Sequence, residues 1–123
     1  MNESLSGRLY LEMDPELWAF LERHVDSFAK VDLLHFFHDH PHSVNTVEAI
    51  ARATGRNQET LRRELEDLTA SGLLERMQMG EVTVYALVAS EGVRERLHRF
   101  VRASEDHRFR IRLIYYLVRG RDE

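Results

Sequence analysis

The chain has 123 residues, 43% hydrophobic and 31% charged, which suits a soluble protein with one domain and its own core. It contains no cysteine, so disulfides, thiolate metal sites and cysteine nucleophiles are excluded, and no run approaches the roughly eighteen apolar residues of a membrane span. With no leader-like apolar segment at the amino terminus a cytoplasmic location is expected, and a net charge of −4 argues mildly against nucleic acid.

Residues 1–13 read as an arm or short strand, with Arg8 to Met13 alternating apolar and polar through Leu9, Leu11 and Met13. Asp14-Pro15 is a helix start, with aspartate as N-cap and proline in the first turn. The helix that follows carries the stripe Leu17, Phe20, Leu21, Val25 and Phe28, with Trp18 beside it, packed there or against a second subunit. Ser27 to Asp39 reads as a second helix, or as a continuation bent near Ser27, and Pro41 ends it. A short helix is predicted over Val47 to Thr54, capped by Thr46 or by Asn45, the latter forming a capping box with Glu48. Gly55 allows a tight turn, and Asn57 then caps a helix over Gln58 to Ser71 whose Leu61, Leu65 and Leu68 face inward. Gly72 stops that helix. Leu73–Met77 and Val82–Val88 are strand-like around Gln78-Met79-Gly80-Glu81. Ser90 opens a further helix with Val93, Leu97, Phe100 and Val101 on its inner face. Residues 108–118 fit either a strand or a helix, and the helical context before them favours the helix.

Helix, glycine turn, helix, glycine stop and hairpin together resemble the winged helix-turn-helix superfamily, in particular the MarR-like and ArsR-like bacterial regulators. The residues that carry the resemblance are Thr46-Val47-Glu48-Ala49-Ile50-Ala51, Thr54-Gly55-Arg56-Asn57, Thr60-Leu61-Arg62-Arg63-Glu64-Leu65, Leu68 and Ser71-Gly72-Leu73-Leu74-Glu75, about a third of the chain. The resemblance implies an α+β, mostly helical fold. Its winged helix-turn-helix domain would span residues 14–103, with the motif at 46–72 and the wing at 73–88, and residues 104–123 would be a helical dimerisation segment. It implies double-stranded DNA as partner, a homodimer formed through the N- and C-terminal helices, and a role in transcriptional control. By position, Asn57, Gln58, Thr60, Arg62 and Arg63 would face base edges in the major groove, where Gln pairs with adenine and Arg with guanine. Arg56 and Thr60 could instead hold phosphates at the helix amino terminus. Arg76 is the one basic residue near the wing.

Two features depart from that pattern. The hairpin tip carries no base, and residues 47–77 hold five arginines against six acids, among them Glu59, Glu64 and Glu66. Arg62 and Arg63 could accordingly be surface residues paired with Glu66 and Glu59. A winged helix serving as a protein–protein interaction module fits this balance. Charge is also uneven along the chain: residues 1–50 hold nine acids against three bases, and residues 93–121 nine arginines against three acids. The arginine-rich end is expected either to flank DNA or to pair with the acidic helix of a second subunit.

His35, His38, His40 and His42 form an H-x-x-H-x-H-x-H run with Asp39 inside it. Imidazoles at this density could bind zinc or nickel, giving a metal-responsive repressor, although solvated histidines in a polar loop are the simpler reading and no cofactor is otherwise expected. No glycine-rich phosphate loop or nucleophile elbow is present, so the sequence points away from an enzyme.

Overall fold

The computed structural model describes residues 14–121, and the side chains of residues 14–119. The arm predicted for 1–13 lies outside the described residues. Helix α1 (Pro15–His24) starts where Asp14 accepts a hydrogen bond from the Glu16 amide, and its chain breaks at Val25. Helix α2 (Phe28–Asp39) is separate, its first turn closed by Ser27, whose hydroxyl accepts from the Lys30 amide. Of the two readings of this stretch, separate helices hold. Leu33, Leu34 and Phe37 of α2 and Phe20 and Leu21 of α1 are buried at the centre of the core.

Strand β1 (Asn45–Thr46) leads directly into α3 (Val47–Thr54). Thr46, not Asn45, is the cap: its hydroxyl accepts from the Ala49 amide. The Asn45–Glu48 capping box does not form, because Asn45 pairs with Tyr85 across the sheet and its side-chain amide donates to Ser43. Gly55 ends α3 at φ +72, left-handed geometry that side chains rarely adopt. Helix α4 (Gln58–Ala70) follows, burying Leu61, Leu65 and Leu68 at spacings of four and three and leaving the opposite side exposed.

The wing is β2 (Leu74–Met79) and β3 (Val82–Leu87), paired antiparallel from Leu74↔Leu87 to Met79↔Val82. The first of these strands runs two residues beyond the expected Met77 while the second ends at Leu87, one short of the expected Val88, so the turn is Gly80-Glu81 alone. The sheet order is β1-β3-β2, and its two-residue first strand is too short to show as an alternating pattern. Helix α5 (Glu91–Ala103) buries Leu97, Phe100 and Val101, packing against α2 and α1. Residues 107–121 take the helix, not the strand, as α6 (His107–Arg121). Its Phe109, Leu113 and Leu117 are buried, whereas Ile111, Ile114 and Val118 lie on the other side and are about half exposed. Trp18 packs edge-on to Tyr116 of α6 at 5.1 Å within the same chain. Among the described residues no helix is long and apolar enough to cross a membrane.

Candidate nucleic-acid interface

The exposed side of α4 and the adjacent wing strands enclose a groove of about 580 Å3. Asn57 fixes where the helix begins, because its side-chain oxygen accepts from the Glu59 amide at 2.8 Å and the Thr60 amide at 3.1 Å. That oxygen is used by the helix, so only the Asn57 side-chain amide is left to donate outward. Gln58, Arg62 and Arg63 are exposed, and Thr60 is half-buried. Arg62 also lines the groove beside Gln78 and Thr83 of the wing.

The acids that would oppose a phosphate backbone are mostly engaged. The Lys30 ammonium, only 4% exposed, meets Asp26 at 2.5 Å, Asp67 at 3.0 Å and Glu64 at 3.2 Å. Burial alone would pull its pKa down, but the hydrogen bonds it donates to Asp26 and Asp67 and the charge of Glu64 hold it above the ordinary lysine value. Glu64 and Asp67 of α4 are thus both countered by a cation from α2. Glu66 is countered from the wing: it accepts from Arg76 Nη1 at 2.6 Å and from the Tyr85 hydroxyl at 2.5 Å. The Tyr85 hydrogen bond, with Arg76 beside it, holds the Glu66 carboxyl below its usual value, and burial and the same contact push Tyr85 up to about 12.

The surface pairs Arg62–Glu66 and Arg63–Glu59 are not among the ion pairs of the described residues. Arg56 is committed elsewhere, its Nε donating to Asp32 on α2 at 2.6 Å, and Arg76 is held to Glu66. Of the residues singled out by position, Gln58, Arg62 and Arg63 therefore lie exposed on α4, whereas Asn57, Arg56 and Arg76 have structural partners. Lys30 and Tyr85 escape a reading of the motif alone, since their partners lie far along the chain.

The four clustered histidines do not converge. His35 lies against the Phe100 ring at 6.0 Å, His40 against Phe36 at 4.9 Å, and His42 is exposed. His38 instead meets His98 of α5, with Nε2 and Nδ1 2.9 Å apart. The ring centroids are 5.1 Å apart and the planes only 17° from parallel. An imidazole nitrogen lies about 1.1 Å from its ring centre, so the two nitrogens point almost straight at each other, the geometry of a shared N–H···N hydrogen bond. Among the described residues no three His, Asp or Glu side chains gather as metal ligands. At the arginine-rich end, Arg99 pairs with Asp14 and Glu16 of its own chain, so an acidic helix is met without a second subunit.

No family model matches the chain, and no curated protein is similar to it. Solved structures that share its fold include the following two. One is a homodimeric winged helix-turn-helix DNA-binding domain from Mycobacterium bovis, described as a possible ArsR-family transcriptional regulator. It is 24% identical, with 78% of this chain and 91% of that one covered at a TM-score of 0.57. The other is a possible transcriptional regulator from Methanosarcina mazei, 16% identical over 71% of this chain and 77% of that one, with a TM-score of 0.56. The chain has the winged helix-turn-helix fold, an α+β architecture dominated by helices.

Proposed function

We propose that this protein is a sequence-specific DNA-binding transcriptional regulator that acts as a homodimer. The observation that carries the reading is the exposed side of α4. Arg62 and Arg63 stand there without an ion-pair partner among the described residues, while Glu64, Glu66 and Asp67 are each matched by Lys30 or Arg76. Gln58, Arg62 and Arg63 read base edges, each well-made bidentate contact contributing about 1–3 kcal/mol of discrimination. Thr60 offers a phosphate contact near the amino end of the helix, and Arg56, whose Nε is spent on Asp32, has only its Nη groups left to add one. One subunit offers few positive charges, so affinity depends on a second subunit setting its own α4 about one DNA turn away. The outer side of α6 supplies the apolar surface for that partner through Ile111, Ile114 and Val118, with α1 braced behind it by the Trp18–Tyr116 contact. The M. bovis domain of the same fold is homodimeric, which supports this assembly.

The test is selection of bound fragments from genomic DNA by the wild-type protein and by the double variant Arg62→Ala, Arg63→Ala. A discrete motif recovered by the wild type and lost in the variant, with unchanged thermal stability, is the expected result. Recovery of the same motif by both would end the assignment of these residues. A second reading, the protein-interaction module, draws on the wing tip, where Met79 and Val82 are 61% and 47% exposed and no basic residue is present. Passage of the wild type through heparin or nonspecific DNA without retention at low salt would favour that reading.

A further inference from the structure

We infer that the free edge of β2 docks on β2 of a second copy of this chain, the two strands pairing antiparallel about a twofold axis at Met77. The sheet order β1-β3-β2 leaves β2 with a neighbouring strand on one side only. Which backbone groups it offers on the other side follows from the ladder. The Val88 amide donates to the Leu73 carbonyl, so Leu73 is bonded across the hairpin, and by alternation so are Glu75, Met77 and Met79. The turn agrees. Gly80, at φ +66, is the first central residue of a two-residue turn, which closes on a bonded Met79–Val82 pair. The backbone N–H and C=O groups of Arg76 and Gln78 therefore point away from β3, and no hydrogen bond among the described residues reaches them.

An edge of this kind is ordinarily blunted by proline, a bulge or guarding charges. Strand β2 has neither proline nor bulge, since its residues pair one to one with β3. Its single base, Arg76, is drawn toward α4 by Glu66. Met79 and Val82 form a cross-strand pair on the other side of the sheet, both exposed, with the Met77–Val84 pair beside them. That side of the wing is apolar where an outward sheet face is usually polar.

The order of side chains along β2 selects a second copy as the occupant, and selects its register. A twofold axis normal to the sheet keeps apolar side with apolar side only when it passes through a residue, because paired residues must lie an even number of positions apart. An axis at Glu75 or at Arg76 sets like charges directly opposite each other, which is destabilising. An axis at Gln78 leaves only residues 77–79 of each strand overlapping. With the axis at Met77, Arg76 meets Gln78 of the second copy, Glu75 meets Met79, and the two Met77 side chains meet each other. Each Arg76–Gln78 pair then exchanges both backbone hydrogen bonds, and the apolar sides of the two wings become one surface. The overlap is short, so free molecules associate weakly through it, and more strongly once copies are held side by side. It uses none of the α6 surface assigned to the homodimer, so it joins one dimer to the next.

The chain has no cysteine, so single-cysteine variants of the full-length protein report which positions meet. At the axis the Met77 residues form a pair without hydrogen bonds, its Cα atoms about 4.5 Å apart and within the span of a disulfide. Met79 is more exposed, yet its counterpart lies about 14 Å away, four residues along the strand and out of reach. Under diamide, which takes up the two thiol hydrogens, Met77→Cys is expected to crosslink about tenfold faster or more than Met79→Cys. Adding Gln78→Pro, tolerated at an outward edge position, removes one donated N–H and should abolish the crosslink at 77 while the far-ultraviolet spectrum holds. Adding Ile114→Asp, which alters only the α6 surface, should leave the crosslink in place. No DNA is present, so failure here leaves the DNA-binding reading standing. Equal rates at 77 and 79, a faster crosslink through Arg76→Cys, persistence with Gln78→Pro, or loss with Ile114→Asp would each overturn the pairing.

Discussion

The Tyr85 hydroxyl of β3 donates a 2.5 Å hydrogen bond to Glu66 of α4, and Arg76 of β2 reaches the same carboxylate. One side chain thus fastens the exposed helix to both strands of the wing and, in doing so, occupies the only arginine on the hairpin. Glu66→Gln keeps the shape but removes the charge that restrains Arg76. Duplex DNA of arbitrary sequence should then bind several-fold more tightly at low salt, with the log–log salt slope steeper by about one. Fluorescence anisotropy at three salt concentrations measures both. An unchanged slope would mean that Arg76 does not reach the backbone even when released.

The outer face of α6 leads to a second expectation. Ile111, Ile114 and Val118 occupy one side of the helix, opposite Phe109, Leu113 and Leu117. A buried partner for three half-exposed aliphatic side chains is worth several kcal/mol at the usual transfer coefficient, whereas placing a charge there costs a monomer almost nothing. Ile114→Asp should give a folded monomer with an unaltered far-ultraviolet spectrum and much weaker operator binding. Sedimentation velocity at about 20 μM decides it, since a monomeric wild type would remove the basis for assigning α6 to the interface.

Much of this arrangement can be read from the chain itself because it rests on local chemistry. Asp14-Pro15, Asn57 and Gly72 act within one helical turn of where they stand, and the leucines at 61, 65 and 68 carry their own periodicity. The pairings that set the electrostatics of α4 join distant positions, and spacing alone does not fix them. Glu66 has Arg62 and Arg63 as near neighbours in sequence, yet its partners come from 10 and 19 residues further along. Lys30 is 37 residues from Asp67. His38 likewise finds His98 across the α2–α5 contact and not its neighbours in the histidine run. The strand β1 was hidden for another reason: two residues cannot show an alternation, and only the partner strand defines them.

Lys30 is the only lysine in the chain and is buried, one of few charged groups that are so among the described residues. Replacing it with methionine conserves most of the buried volume but leaves Asp26, Asp67 and Glu64 without their cation. Asp26 and Asp67 are 75% and 63% exposed and can be hydrated in place, while Glu64 at 18% cannot. The loss should therefore be about 1–3 kcal/mol, less than for a fully buried pair. The same variant leaves extra negative charge behind α4, so DNA affinity should fall by more than the drop in stability explains. Urea unfolding and anisotropy on the same preparation separate the two effects.

His24 makes stability depend on pH in a direction that can be worked out in advance. Its folded-state value is about 4 against an ordinary 6.5, so the unfolded chain binds the proton more readily. The stabilisation from the neutral ring is present in full above pH 6.5. It is lost as pH falls from there toward 4, at up to about 1.4 kcal/mol per pH unit and about 3 kcal/mol in all. Exposed carboxylates contribute chiefly below pH 5, so the interval from 7 to 5 isolates the imidazole. His24→Asn cannot titrate there and keeps an amide able to reach the Ser71 hydroxyl. Its unfolding free energy should start lower at pH 7 and then change little across the interval in which the wild type declines. Equal slopes for the two proteins would show that the ring is hydrated in the folded state, and that the pressure of Arg23 and Arg96 upon it is relieved by solvent.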